Sequence, residues 1–194
     1  MEQITEYEYI CVLDFEAQCV ENQKLECQEI MEFPVIIVDV KNKKVQDEFF
    51  HQYVKPVKYP TLFDFCKELT GITQEQVDNG KILENVLQDL DSFLTKAIGN
   101  KSFIFATCGD WDLRQCLRNE AAFKEIDYAD YLNKWINVKK VFAELKGFDK
   151  VGMTGMLKEL GLELEGRHHS GIDDARNIAK IVLKLLENNR SEER

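Results

Sequence analysis

The chain contains no long apolar segment. Its longest apolar stretches, such as residues 33–38, have the length of a strand and fall well short of the roughly 20 residues that a bilayer-spanning helix needs. Residues 1–6 have neither the basic nor the apolar part of a signal peptide. We therefore expect an intracellular protein, cytoplasmic or nuclear, with no membrane partner.

Paired-cysteine spacing is also missing. None of the six cysteines belongs to a Cys-x-x-Cys motif, and no histidine lies close in sequence to any of them. This pattern indicates neither a zinc site nor a disulfide framework. We expect reduced thiols that are mostly buried.

Basic residues are in the minority. The chain has 25 Lys and Arg against 35 Asp and Glu, for a net charge of −10. This balance argues against a protein that holds nucleic acid by a broad basic surface. It leaves local binding open, because bound divalent cations would reverse the charge at the point where a phosphate must sit.

Internal repeats, low-complexity tracts and linkers are absent as well. A chain of 194 residues with 44% hydrophobic side chains is suited to one domain with a sizeable core. We expect residues 1–188 to form that domain and the polar residues 189–194 to be a frayed tail.

The hydrophobic patterns predict a mixed α/β fold. Three strands joined by tight turns form an antiparallel meander first, and helices then alternate with strands. This order fits a mixed sheet of five to six strands flanked by helices on both faces. The predicted strands are residues 9–15, 34–40, 45–54, 102–107 and 135–138, and the predicted helices are residues 82–98, 110 onward, 139–145, 153–160 and 172–186.

Asp14 and Glu16 stand at the end of the first predicted strand, where residues two apart point to the same side. An Asp-x-Glu pair is weak by itself. However, Asp14 directly follows the apolar residues 10–13, and a buried carboxylate costs several kcal/mol unless it is paired or bound to a cation. The alternative is a strand whose end has reached solvent.

A third carboxylate follows the strand at residues 102–107. Asp110 has the sequence position of a helix N-cap, and Asp112 in the first turn would favour the helix dipole. Capping alone would explain both residues. We assign Asp110 to the cap and Asp112 to a metal site, because the strand would deliver this turn to one end of the sheet.

Two histidines precede the last predicted helix, and each has an aspartate five residues later. Ser170 and Asp173 have the spacing of a capping box. This leaves Asp174 free to face a cleft together with His169. A histidine with a near-neutral pKa in such a loop suits a general base. The alternative is that His168 and His169 are exposed loop residues.

The four acids and the histidine have the composition of a site that holds two divalent metals and deprotonates a water, which is the chemistry of phosphodiester cleavage. These elements resemble the DEDDh family of 3′ to 5′ exonucleases over residues 9–186. The stretches that look like its Eri-type branch are Asp14-Phe-Glu-Ala17, Leu69-Thr-Gly-Ile-Thr73, Gly109-Asp-Trp-Asp112, Lys134-Trp-Ile-Asn137 and His169-Ser-Gly-Ile-Asp-Asp-Ala-Arg-Asn-Ile-Ala179.

The resemblance implies a ribonuclease H-like fold and release of nucleoside 5′-monophosphates from RNA 3′ ends. It assigns Asp14, Glu16, Asp112 and Asp174 to two Mg²⁺ ions, which Mn²⁺ would replace, and His169 to the general base. Members of the branch trim small RNAs, histone mRNA stems and ribosomal RNA. We find no accessory nucleic-acid-binding module, so a protein partner or the domain's own loops would set the substrate.

Five residues are candidates for holding the terminal nucleotide. By the same resemblance, the main chain at Ala17 would bind the 3′ hydroxyl, and Leu69 and Ile72 would form a wall against the base. Trp111 and Phe63 are stacking candidates, and packing aromatics are the alternative for both. A phosphate track or an ordinary solvated surface would account for the basic residues Lys139, Lys140, Lys146, Lys150, Lys158 and Arg167.

Two other functions remain open from the sequence. One is a DNA-preferring exonuclease of the same fold, because nothing in the residues distinguishes ribose from deoxyribose. The other is a catalytically silent module that binds nucleic acid or protein. Intact acids and His169 argue against the silent module.

Overall fold

A computed structural model describes residues 2–147 and 151–188. The predicted tail at residues 189–194 lies outside the described residues. Six strands form one mixed sheet, and the described helices pack on it. The strands are β1 (Tyr9–Val12), β2 (Glu16–Ala17), β3 (Ile30–Asp39), β4 (Lys44–Tyr53), β5 (Phe103–Thr107) and β6 (Trp135–Asn137).

The order of the strands confirms the predicted antiparallel meander. β3 lies in the middle of it, with β4 along one edge and β1 followed by β2 along the other, all antiparallel to it. β5 then pairs parallel to β1, and β6 parallel to β5. The carboxyl ends of the three parallel strands therefore meet at the same end of the sheet.

The first predicted strand, residues 9–15, is interrupted. β1 ends at Val12 and β2 begins at Glu16. The interruption arises because the backbone changes partners: the Leu13 N–H donates to the Ala106 carbonyl at 3.0 Å, whereas the Phe15 N–H donates to Asp112 Oδ1 at 2.8 Å. Asp14 thus stands in a break of the sheet rather than within a continuous strand.

Four predicted helices form with ends close to the predicted ones, at residues 82–98, 139–145, 153–160 and 172–186, whereas the helix predicted from residue 110 begins as a π-helical segment. Glycines at positive φ end two of the α-helices, Gly71 at 76° and Gly147 at 70°. The α-helices are α1 (Glu2–Thr5), α2 (Asp64–Thr70), α3 (Gln74–Asp78), α4 (Leu83–Ala97), α5 (Arg118–Lys124), α6 (Val138–Lys146), α7 (Met153–Glu159) and α8 (Gly171–Asn188). A π-helical segment, Asp112–Leu117, precedes α5, and a short 3-10 helix spans Asp130–Asn133.

Successive side chains of β1 enter different hydrophobic clusters on the two faces of the sheet. Cys11 belongs to a cluster that includes the apolar side of α4, whereas Ile10 and Val12 belong to one that includes apolar residues of α6, α7 and α8. Helices therefore cover both faces, as predicted. Because β1 and β3 are buried along their whole length, the break that carries Asp14 is held by a rigid frame. No helix of the described residues is long and apolar enough to span a bilayer.

Candidate active site

A cavity of about 280 Å³ lies at the end of the sheet where β1 and β5 finish. It brings together parts of the chain that the sequence separates by up to 155 positions, from residue 14 to residue 169. Its lining is formed by Asp14, Phe15, Glu16, Ala17, Cys19, Gln28, Leu69, Cys108, Trp111, Asp112 and His169.

The predicted acids converge at this cavity. Carboxylate oxygens of Asp14, Glu16 and Asp174 lie within 4.8 Å of one another. Asp112 lines the same cavity, although it is not in this close group, and its Oδ1 accepts the Phe15 N–H. Clustered carboxylate oxygens are the donor set that Mg²⁺ and Mn²⁺ prefer, so the residues fit a hard divalent cation.

Burial and mutual repulsion raise the pKa values of the clustered acids. Burial raises the pKa of Asp14 well above its usual range, and the carboxylates of Asp112 and Asp174 add to the shift. Burial and the charge of Glu32 raise the pKa of Glu16 to about 9. Burial raises the pKa of Asp112 to about 6. A divalent cation at the cluster would relieve this repulsion, which is an independent reason to regard it as a cation site.

The two histidines occupy different positions around Asp174. His169 lines the cavity, and its backbone N–H donates to Asp174 Oδ2 at 2.9 Å. Both histidines are exposed, and His168 Nδ1 lies 3.0 Å from the same oxygen. The rings stack with centroids 4.0 Å apart. Burial and the neighbouring His168 lower the pKa of His169, which favours its neutral form.

The predicted capping box of the last helix does not form. The Ser170 N–H donates to the Arg167 carbonyl, and Asp173 accepts from the Arg167 N–H instead. The N–H groups of Gly171 and Ile172, at the start of the helix, donate to the carboxylate of Glu32 on β3. A carboxylate from another element has replaced the local cap.

Glu32 is not among the residues predicted for the site. A signal for it is present in the sequence, because Glu32 lies in the buried strand β3 beside the apolar residues 33–38, as Asp14 follows residues 10–13. A buried carboxylate needs a partner, and this holds for both residues. Glu32 is also the direct cross-strand partner of Glu16.

The side chain of Asp110 is not a helix cap. Its Oδ1 accepts from the indole N–H of Trp135 at 3.0 Å, and its Oδ2 accepts from Lys140 Nζ at 3.1 Å. Trp111 is the N-cap of the helical segment and makes no side-chain capping bond. Local spacing cannot predict these partners, because they lie on β6 and α6, 25 and 30 positions away. The assignment of Asp112 to the cavity does not depend on this cap.

The nucleotide-binding candidates separate into two groups. Ala17, Leu69 and Trp111 line the cavity. Ile72 is 3% exposed and packs in a small buried cluster with Met31, Leu62, Cys66 and Val77 instead. Phe63 packs against that same cluster, with its ring 5.7 Å from the ring of Tyr59.

The basic candidates also differ in their surroundings. Lys139 is half-buried and follows β6, with its Nζ 3.7 Å from the position that a Cβ on Gly109 would take. Its charge lowers the pKa of Asp112. The guanidinium of Arg167 donates to backbone carbonyls at the end of α2. Lys146 and Lys158 are exposed, and Lys150 lies outside the described residues.

Comparison with known proteins agrees with this geometry. The chain is 42% identical over 183 residues to human ERI1 exoribonuclease 3, covering 92% of this chain and 54% of that protein. It thus spans about half the length of this curated relative.

Two solved structures are similar over most of the fold. One is the nuclease domain of 3′hExo, a DEDDh family member, bound to rAMP, with a TM-score of 0.89, 34% identity and coverage of 95% of this chain and 94% of that one. The other concerns 3′-end-specific recognition of a histone mRNA stem-loop by a 3′-exonuclease, with a TM-score of 0.88, 34% identity and coverage of 94% and 83%.

A family model described as "Exonuclease" matches residues 11–182, a range that runs from β1 to α8. The DEDDh exonucleases are metal-dependent, in agreement with the acid cluster. With this match and these relatives, the chain belongs to the exonuclease family, in the ERI1-like branch of its DEDDh members.

Proposed function

We propose that the protein is a metal-dependent 3′ to 5′ exoribonuclease that releases nucleoside 5′-monophosphates from single-stranded RNA 3′ ends or short overhangs. The observation that carries the proposal is the meeting of Asp14, Glu16, Asp112 and His169 in one cavity, with Asp174 among the close acids. The curated relatives named as exoribonucleases support this activity.

Asp14, Glu16, Asp112 and Asp174 would hold two Mg²⁺ ions, with Mn²⁺ as a substitute. When bound, such ions supply Lewis-acid activation of a phosphodiester and of a water. The protein's own contribution is a fixed cluster of carboxylates. Asp112 is held by the Phe15 N–H and Asp174 by the His169 N–H, so neither has to reorganise when the substrate arrives.

His169 is the proposed general base. It lines the cavity with the acids, and its lowered pKa keeps the imidazole neutral at physiological pH, ready to accept a proton from the attacking water. In-line attack on the terminal phosphodiester then gives a nucleoside 5′-monophosphate and a shortened chain with a 3′ hydroxyl. The hydrogen bond between the His169 N–H and Asp174 ties the base to the acid cluster.

The terminal nucleotide would occupy the same cavity. The main chain at Ala17 would bind the 3′ hydroxyl, and Leu69 and Trp111 would border the base. Ile72 would support the Leu69 wall from its buried cluster, and Phe63, which packs against the same cluster, would stack on the base. Lys139 would contact a phosphate, because it is a half-buried cation whose charge reaches the acids.

Six free cysteines are the pattern of a reducing compartment, which supports an intracellular location. The relative seen with a histone mRNA stem-loop supports RNA as the substrate class. A protein partner that directs the enzyme to its RNA is a further part of the proposal, because the net charge of −10 provides little general affinity for nucleic acid.

The test uses 3′-labelled single-stranded RNA and DNA of one sequence, incubated with and without Mg²⁺. We expect labelled mononucleotide from RNA, faster than from DNA, and only with the metal. Asp14→Asn removes a charge from the cluster and should abolish hydrolysis while the fold remains. Faster release from DNA would favour the DNA-preferring alternative.

The absence of hydrolysis from either substrate, together with retained RNA binding, would indicate the silent module. Full activity of Asp14→Asn, in preparations free of host nuclease, would overturn the assignment of the site.

A further inference from the structure

Glu32 is a fifth carboxylate at the candidate site, and it is 1% exposed on strand β3. Its oxygens have three partners. Oε2 accepts the Gly171 N–H at 2.9 Å, Oε1 accepts the Ile172 N–H at 3.1 Å, and His51 Nε2 lies 2.8 Å from Oε1. With these contacts, the buried carboxylate binds the N-terminal end of α8 and His51.

The helix end that Glu32 holds is the one that carries the proposed general base and a metal-site acid. The first N–H groups of a helix have no partner within the helix, and the helix dipole makes that end attractive to an anion. Hydrogen bonds from two N–H groups to one carboxylate fix both the position and the direction of the helix end. His169 and Asp174 stand on either side of it.

Gly171 shows how closely this helix end approaches Asp14. A Cβ at Gly171 would lie 2.7 Å from the Asp14 carbonyl oxygen and 3.1 Å from Glu32 Oε2. The helix end therefore packs directly on the break between β1 and β2, with the Glu32 carboxylate beside it. A small shift of α8 would change the distance between Asp174 and Asp14.

We propose that Glu32 is a positioning residue of the nuclease site, which fixes the N-terminus of α8 so that His169 and Asp174 meet Asp14. His51 on β4 contacts Oε1 of the same carboxylate, so Glu32 and His51 together form a clamp on the helix end. This inference rests on the proposed function for its catalytic consequence, whereas the clamp itself can be measured without any substrate.

The test compares Glu32→Gln with wild type, using steady-state hydrolysis and amide hydrogen exchange of the full chain. An amide offers one acceptor oxygen and no charge, so one of the two helix N–H groups loses its acceptor. We expect faster exchange at Gly171 and Ile172. We also expect kcat to fall about 10- to 100-fold with KM little changed, as a displacement near 1 Å would produce.

Glu29→Gln is the matched control. Glu29 is equally buried, and its carboxylate accepts the backbone N–H groups of Val57, Lys58 and Tyr59 in the loop before α2 and pairs with Lys124 Nζ at 2.7 Å. It should lose stability in a similar way without changing exchange at Gly171 or Ile172. Gly171→Ala is the second variant, because its Cβ displaces the helix while Glu32 stays intact, and it should also lower kcat.

Unchanged exchange at Gly171 and Ile172 in Glu32→Gln would overturn the inference, whether or not the wild-type protein hydrolyses RNA. Faster exchange with an unchanged kcat would likewise overturn the positioning role. A large increase in the Mg²⁺ concentration needed for activity, with normal exchange, would mean that Glu32 binds the metal instead. Absence of wild-type hydrolysis would count against the proposed function alone, and exchange would still decide the clamp.

Discussion

At the scale of single residues, Asp174 connects the two kinds of chemistry that the site needs. It belongs to the close group with Asp14 and Glu16, and also to a group of possible ligand atoms with His168 and His169. Burial raises its pKa, and the His169 N–H and the His168 side chain oppose that shift. A substitution at either histidine will therefore also change the pKa of Asp174 in the acid cluster.

His169→Ala should lose on the order of 10²- to 10⁴-fold in rate, because a general base contributes in that range. Metal binding should remain. His168→Ala should lose much less, because His168 touches Asp174 from outside the cavity lining. The measurement is the hydrolysis rate of both variants at one fixed Mg²⁺ concentration.

The pH dependence of the hydrolysis rate is a second test of His169 as the proposed general base. Because the pKa of His169 is lowered from its ordinary value of 6.5, its neutral form persists below that pH. The rate should therefore fall on the acid side only as the pH drops through the lowered pKa.

A greater loss of rate in His168→Ala than in His169→Ala would show that the choice of His169 as the base, and with it the choice of Asp174 over Asp173, is wrong.

At the scale of elements, Arg167 joins the loop before α8 to the end of α2. Its guanidinium donates to the carbonyls of Glu68 at 2.7 Å and Leu69 at 3.2 Å. Gly71 makes room for this contact, since a Cβ there would lie within 3 Å of the guanidinium. The end of α2, which includes Leu69, is thereby tied to the loop that carries His169.

Arg167→Ala should raise KM about fivefold, equivalent to the ~1 kcal/mol that a typical hydrogen bond contributes. Arg167→Lys should restore little, because an ammonium lacks the planar fork of donors. Arg118→Ala removes an exposed arginine of α5 and is the control. KM values equal to that of the wild type in all three variants would contradict a role for Arg167 in nucleotide binding.

The elements also show how far sequence reasoning reaches. Helix α4 follows from local periodicity, because the burial of one apolar side is enough to specify it, and strand β5 follows from a short apolar run packed on both faces. The break at Asp14 depends on a hydrogen bond from the Phe15 N–H to Asp112, 97 positions away. The Glu32 cap depends on Gly171, 139 positions away. Local spacing predicts a capping box and cannot weigh it against a distant carboxylate.

The candidate site was predictable to a similar extent. Asp14, Glu16, Asp112 and His169 were selected from strand alternation, motif order and family resemblance, and the fold places them around one cavity. The stacking candidates were harder to select, because aromatic residues serve in cores and on binding surfaces alike. Phe63 lies in a packed cluster, whereas Trp111 lines the cavity.

At the scale of the whole molecule, the acidic charge limits how RNA is held. An acidic chain provides few phosphate contacts, so we expect a shallow salt dependence of binding. Each phosphate contact on a single strand contributes about −0.7 to the slope of log affinity against log salt. The expected slope corresponds to roughly one to four contacts. Titration of Asp14→Asn with labelled RNA in Ca²⁺ measures the slope.

In that background, Lys139→Ala should reduce the slope by about 0.7, whereas the exposed Lys158→Ala should leave it unchanged. A slope that implies roughly eight or more contacts would reveal an extended basic track.

The metal-free protein should lose stability as the pH rises. The pKa of Glu16 is raised from 4.5 to about 9 in the folded state, so the folded state holds its proton more tightly than the unfolded chain. Rising pH across that window therefore favours unfolding, and the loss is complete above about 9. Thermal unfolding in a chelator at several pH values measures this trend.

Added Mg²⁺ should cancel the trend, and Glu16→Gln should flatten it without metal, because the glutamine cannot ionise. A wild-type curve that rises between pH 5 and pH 9 in the chelator would contradict the pKa shift.

The acids come from distant parts of the chain: a break in the sheet, a two-residue strand, the start of a π-helical segment and the last described helix. Synthesis proceeds from the amino end, so the nascent chain has Asp14 and Glu16 long before Asp174 and the Gly171 contact exist. The proposed metal site is consequently incomplete until nearly all of the fold has formed, and its assembly is coupled to the completion of folding.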